Sequence, residues 1–149
     1  MHHDDAELDR AKVRAEVNKL DPCPFCHPDP ARILHQSHFV TLLADGYPVS
    51  PGHTLIVPNR HVATWFQATP EEQQALFEGI AEARRRIEKD HAPDGYNIGI
   101  NSGEAAGQTV PHLHVHVIPR YAGDVTDPRG GVRWVITDKA AYWEDEPEG

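Results

Sequence analysis

Between Pro111 and Pro119 the chain reads His112-Leu113-His114-Val115-His116-Val117-Ile118, in which imidazole and aliphatic side chains alternate strictly. Period-two alternation predicts a strand, because successive side chains of an extended chain point to opposite faces. Leu113, Val115 and Val117 then enter a core, and all three imidazoles project from the other face. Few arrangements of a short chain satisfy that demand. One face of the strand must be packed, and the other must have a use for histidine.

The rest of the chain reads as more strands around one long helix. Strands are expected at 38–44, 52–58, 95–101, 112–119 and 131–137. The long helix starts at Thr69-Pro70-Glu71-Glu72, which offers an N-cap hydroxyl, a proline at the first helical position and a capping-box glutamate. Leu76, Phe77, Ile80 and Ile87 follow at helical spacing, and Ala92-Pro93-Asp94-Gly95 stops it. Arg84-Arg85-Arg86 reads as its solvated face near the C-terminal end. A further helix is expected at 4–20, and the acidic end, 144–149, is expected to be disordered. Strands in adjacent runs with one long helix argue for α+β, with an antiparallel sheet of about five strands in a single domain spanning 1–149.

Composition removes several classes of function. The 149 residues make one ordinary domain, and 39% hydrophobic with 25% charged residues is a globular composition. The apolar runs are too short to span a membrane, which takes about 20 residues. A formal charge of −9 disfavours coating a nucleic acid but leaves room for a small phosphorylated ligand. Met1-His2-His3-Asp4-Asp5 is acidic rather than apolar, so a cytoplasmic location is expected.

Two features carry chemistry. The histidine face reads as a solvated surface, as a three-histidine metal site, or as a nucleophilic centre in which a neutral imidazole attacks phosphorus. The last needs one ring nitrogen held as a donor so that the other stays free. The second feature is Cys23-Pro24-Phe25-Cys26, half of a zinc site if two more ligands exist and otherwise a redox pair or inert thiols. A protein that stores or senses zinc is a further reading of the eleven histidines.

The segment from Gly107-Gln108-Thr109 through His116 resembles the signature of the histidine triad (HIT) family, and Ser50 to Pro58 resembles that family's second strand. Cys23-Pro-Phe-Cys26 resembles its zinc-bearing bacterial members. The resemblance covers roughly residues 20–120. Asp127-Pro-Arg-Gly-Gly-Val-Arg-Trp134, within the extension 121–149, is similar to the end of certain bacterial members and has no assigned role.

The resemblance implies a hydrolase or transferase that cleaves at the α-phosphate of an adenosine or guanosine 5′-monophosphate derivative. That derivative is a phosphoramidate or a dinucleoside polyphosphate, and the reaction passes through a nucleotidyl-histidine. In it His114 matches the nucleophile and His116 the residue at the phosphate and leaving group. His112 matches the histidine whose carbonyl holds the nucleophile's ring. Asn101, Gln108 and Thr109 match phosphate-gripping positions, Asp45 the ribose ligand, and His53 a further histidine lining the site. The resemblance also implies a structural zinc on Cys23, Cys26, His61 and His112, no catalytic cofactor, and a homodimer. His27, His35 and His38 are substitutes for His61. Each match has a plainer reading: a turn for Asp45 and Asn101, a solvated loop for Gln108, a backbone-bonded core residue for His53. Phe39, Leu43 and Ile56 are candidates for an adenine slot or for plain core. A nucleotide-binding adaptor or sensor with incidental turnover is the rival function.

Overall fold

A computed structural model of the chain describes residues 23–145. The helix expected at 4–20 and most of the acidic end lie outside the described residues.

Five strands form one antiparallel sheet: β1 (Ile33–Gln36), β2 (Val40–Ala44), β3 (Thr54–Pro58), β4 (Gly95–Ile100) and β5 (Val115–Arg120), in the order β1-β2-β3-β5-β4. The long helix α1 (Pro70–Asp90) covers one face. No helix among the described residues is long and apolar enough to cross a membrane.

Helix α1 begins where the capping signal stands. The Thr69 hydroxyl accepts from the Glu72 N–H at 3.1 Å, and the Glu72 carboxylate accepts from the Thr69 N–H at 2.9 Å. Arg60 donates to the same carboxylate at 2.7 Å, tying the helix start to the loop after β3. Leu76, Ala83 and Ile87 face the sheet and pack with Val40, Leu42, Ile56, Leu113, Val115 and Val117. Phe77 is exposed and instead packs beside Trp65. The helix approaches β3 closely at Gly79, where a Cβ would lie 2.9 Å from Ile56 Cγ2. The three arginines form the solvated face expected of them, Arg84 pairing with Glu88 and both Arg85 and Arg86 with Glu82.

The alternation of residues 112–117 works as expected. The aliphatic side chains enter the core under α1, and the imidazoles form a row on the other face, with adjacent ring centroids of His114 and His116 5.1 Å apart. Regular pairing in β5 starts only at Val115, since the Leu113 N–H donates to the Val62 carbonyl in a neighbouring loop.

The strand expected at 131–137 is not one. Residues Gly131–Val135 form a 3-10 turn, followed by the short helix α2 (Thr137–Ala140). Gly130 and Gly131, at φ 95° and 48°, wind the backbone into the left-handed region, and local bonds then close it. Trp134 donates to the Arg129 carbonyl, and Arg133 to the carbonyls of Lys139 and Ala140. The fifth strand is β1 instead, a four-residue edge with two polar residues, His35 and Gln36, and little apolar signal. The adenine slot also fails. Leu43 pairs with Leu55 and Ile56 with Leu42, so Leu43 and Ile56 occupy opposite faces, Leu43 beside Phe25 and Ile56 under α1.

Candidate active site and metal centre

The site lies on the sheet face away from α1. His114 is nearly buried, with its ring between Phe25 and His116. Its Nδ1–H donates to the His112 carbonyl at 2.8 Å. That bond assigns the proton to Nδ1 and leaves Nε2 as a lone pair. Burial holds the ring below the usual imidazole range, against the opposing pull of the His112 carbonyl and the Asp45 charge. His114 is therefore a neutral imidazole of defined tautomer at neutral pH.

A second chain of bonds orients His116. The Val49 N–H donates to His53 Nδ1 at 3.2 Å, so His53 carries its proton on Nε2. That Nε2 lies 3.0 Å from His116 Nδ1 and 3.3 Å from Asp45 Oδ2. His116 accepts at Nδ1 and keeps a proton at Nε2. Burial, then the His114 and His53 rings, push His116 down to about 4. Asp45, His53 and His116 are close enough to bracket a cation, but the proton on His53 Nε2 speaks against it. The trio is a hydrogen-bonded relay.

His112, on the same sheet face, turns its ring toward the two cysteines. Its Nε2–H donates to the Pro58 carbonyl at 2.8 Å, turning the Nδ1 lone pair toward Cys23 Sγ at 3.4 Å and Cys26 Sγ at 3.6 Å. His61 Nδ1 stands 3.2 Å from Cys26 Sγ and 3.2 Å from His112 Nδ1. These four residues could hold a metal ion. A donor bond from the far nitrogen to a backbone carbonyl is the support that metal-binding histidines ordinarily receive. His27, His35 and His38 stand outside this group.

The remaining candidates divide. Asp45 takes the turn reading weighed for it and also faces a neighbouring imidazole. One oxygen accepts from the Tyr47 N–H at 2.7 Å in a turn, and the other faces His53. Asn101 lines the cleft beside His116. Gln108 is committed to the loop: its amide donates to the carbonyls of Ala63 and Val110 and accepts from the Gly103 N–H. Thr109 is exposed at the edge of that loop. Sequence reasoning missed Phe25, which lies edge-on to both His112 and His114 and shields them from water. Its position between the two cysteines was the available signal.

Comparison with known proteins identifies relatives of this chain. The bis(5′-nucleosyl)-tetraphosphatase [asymmetrical] of Schizosaccharomyces pombe is 36% identical over 97 residues, 65% of this chain and 53% of that protein. The bis(5′-adenosyl)-triphosphatase of Saccharomyces cerevisiae is 36% identical over 115 residues, 76% of this chain and 52% of that one. The chain thus spans about half the length of these two curated relatives. Among solved structures, a zinc-bound histidine triad family protein from Mycobacterium smegmatis superposes with a TM-score of 0.63 at 29% identity, covering 84% of this chain and 98% of that one. The family description "HIT domain" matches residues 28–123, the span that carries the sheet, α1 and the row of imidazoles, and the chain belongs to that family.

Proposed function

We propose that the protein is a nucleotide hydrolase or transferase acting at the α-phosphate of an adenosine or guanosine 5′-monophosphate derivative. The observation that carries this reading is the bond from His114 Nδ1 to the His112 carbonyl, which leaves Nε2 unprotonated in a buried, stiff position. Such a nitrogen is built to attack. His114 Nε2 forms a bond to the α-phosphorus while the bond to the leaving group breaks. His116 gives its Nε2 proton to the departing atom as that bond breaks. Water then attacks the phosphorus and returns a proton to His116 Nε2, the N–P bond breaks, and the mononucleotide leaves. The names of the curated relatives support a dinucleoside polyphosphate as substrate. The relatives' names, both of hydrolases, favour water as acceptor.

Zinc fits the Cys23, Cys26, His61 and His112 set. Tetrahedral zinc with bonds of about 2.3 Å to sulfur and 2.0–2.1 Å to nitrogen requires N···S separations of about 3.5 Å and N···N of about 3.3 Å. The four donors already stand close to those separations, with N···S of 3.2–3.6 Å and N···N of 3.2 Å. Two thiolates and two imidazoles close the coordination shell, so the ion is structural, and the reaction needs no catalytic cofactor. Free thiols suit a reducing compartment such as the cytoplasm. A homodimer, as the family resemblance implies, completes the reading. Sedimentation of the full chain tests it.

The deciding experiment for the activity is mass spectrometry of rapidly quenched enzyme with diadenosine triphosphate or adenosine 5′-phosphoramidate. An acid-labile adenylyl adduct on the peptide containing His114 is expected. Turnover with no adduct, or normal turnover by His114→Ala, overturns the reading.

A further inference from the structure

The two imidazoles of the candidate metal centre are held in different ways. The His112 ring is buried and carries a bond at its far nitrogen, to the Pro58 carbonyl. The His61 ring is exposed and, among the described residues, has no hydrogen-bond partner beyond Cys26 and His112 themselves. A metal-binding histidine ordinarily takes its orientation from a donor bond at the far ring nitrogen. With no such bond at His61, the placement of that ring falls to its backbone.

That backbone is pinned on both sides. Before it, the Asn59 N–H donates to the Phe39 carbonyl at 2.8 Å, and the Asn59 side chain bonds Thr41 and the carbonyls of Ser37 and His38. After it, the Val62 carbonyl accepts from the Leu113 N–H at 2.7 Å. The N–H groups of Ala63 and Thr64 both donate to Gln67 Oε1, at 3.0 and 3.2 Å.

The residue next to His61 carries a charged tie. Arg60 Nη2 donates to Glu72 Oε1 at 2.7 Å and to the Gln67 carbonyl at 3.2 Å, and Arg60 Nε donates to Glu72 Oε2 at 3.3 Å. Two nitrogens on two carboxylate oxygens fix the guanidinium in orientation as well as in distance. The Glu72 side chain is only 5% exposed, against 55% for Arg60. It stands on the first turn of α1, whose later turns pack into the core. Capping the helix does not require Arg60, because Thr69 and Glu72 complete the capping box between themselves.

We propose that the Arg60–Glu72 pair is the positioning device of the metal centre. Glu72 anchors Arg60 to α1, and Arg60 holds the adjoining His61 with Nδ1 facing Cys26 and His112 before the ion arrives. Both are positioning residues, since neither touches the ion. A ligand loop fixed in advance loses less freedom when the ion binds, and affinity rises accordingly. The inference rests on the zinc reading above and extends it to residues outside the four ligands.

The test is zinc affinity of the full chain, measured by competition with a chromophoric chelator. Glu72→Gln, Arg60→Met and the two together are each expected to weaken zinc by about 10–100-fold, the range found for outer partners of metal ligands. The double variant should fall within about twofold of either single one, because one interaction is lost in all three. It also leaves no buried charge without a partner, so it keeps the test open if Arg60→Met alone fails to fold. Thr69→Ala is the control. It removes the cap hydroxyl and lowers the melting temperature, yet zinc affinity should stay within about twofold. In a His61→Ala background, which keeps three ligands, the double change should have no further effect on zinc. Unaltered affinity in the double variant, an equal loss in Thr69→Ala, or a further loss in the His61→Ala background overturns the inference and leaves the metal centre standing. Wild-type protein that binds no zinc overturns the metal reading itself, and this inference with it.

Discussion

The carbonyl oxygen of His112 lies 2.8 Å from His114 Nδ1, while the His112 ring turns away toward Cys23 and Cys26. One residue therefore belongs to two sites. Its backbone sets the tautomer of the candidate nucleophile, and its side chain anchors the candidate metal centre. This link predicts what metal removal does. Purified protein should carry one zinc per chain by metal analysis. Cys23→Ser with Cys26→Ser should remove it, lower the melting temperature and reduce activity. Zinc contributes roughly 10–16 kcal/mol in small peptides, and less is expected here because the sheet has its own core. Zinc-free protein from a chelator-free preparation, or activity that requires added metal, contradicts the structural role.

Replacing His114 by Ala or Asn should abolish turnover, with losses of about 10⁴-fold or more, as in other covalent catalysts stripped of their nucleophile. His116→Ala should cost less, about 10²–10⁴-fold, because it assists proton and charge movement without forming the bond. Nucleotide binding by the His114 variant should persist in calorimetry, since Asp45 and Asn101 are untouched. Comparable kcat in wild type and His114→Ala would discard the mechanism.

Titration of His53 and His116 predicts the response to acid. Burial lowers both, and His116 is pushed down to about 4, with Asp45 opposing and the neighbouring rings assisting. In the unfolded chain both protonate near about 6.5. As pH falls from there toward 4, the unfolded chain takes up protons that the folded chain refuses, and stability declines across that window. Denaturant midpoints should be level above pH 7 and fall steadily from 6.5 to 4. The acid limb of kcat, where His116 loses its ability to accept from His53, should lie well below 6.5. A limb at 6.5 or higher contradicts the buried, neutral relay.

Gly79 allows a test of packing. A methyl group there would meet Ile56 Cγ2 at 2.9 Å, against the side chain that carries the centre of the core. Helix propensity favours alanine by about 1 kcal/mol, and overpacking costs about 1–3 kcal/mol. Gly79→Ala should therefore be destabilised by up to about 2 kcal/mol in urea unfolding. A stabilised variant would show that α1 moves away from β3 at little cost.

The parts of this molecule that were legible from sequence share a cause: each was encoded by a local pattern. Thr69-Pro70-Glu71-Glu72 capped α1 where expected, and the alternation of 112–117 sent each side chain to the face foreseen. What failed depended on partners distant in sequence. Residues 131–137 have strand composition, but two positive-φ glycines and the bonds of Arg133 and Trp134 close them into a turn. β1 carries little pattern of its own and is defined by pairing with β2. At the site, the residue types were readable and their bonds were not. Nothing in Gln108 announces that its amide spans three backbone groups, nor in His53 that the Val49 N–H chooses its tautomer.

That choice of tautomer supports a last prediction. His53 is buried, accepts from Val49 and points its Nε2–H at His116 Nδ1 3.0 Å away. If the contact keeps the His116 proton on Nε2, where it serves the leaving group, His53 is a positioning residue whose loss slows the reaction without stopping it. His53→Phe fills the same buried slot with a ring that neither donates nor repels a proton. It should lower kcat by about 10–100-fold, below the effect of losing His116 itself. Removing the His53 ring also removes one cause of the depressed His116 value, so the acid limb should move upward. A role confined to packing would lower the melting temperature and leave the pH profile where it was. Reduced kcat with an upward-shifted acid limb, in a variant that still binds nucleotide and still forms the adduct on His114, is the outcome expected of the relay.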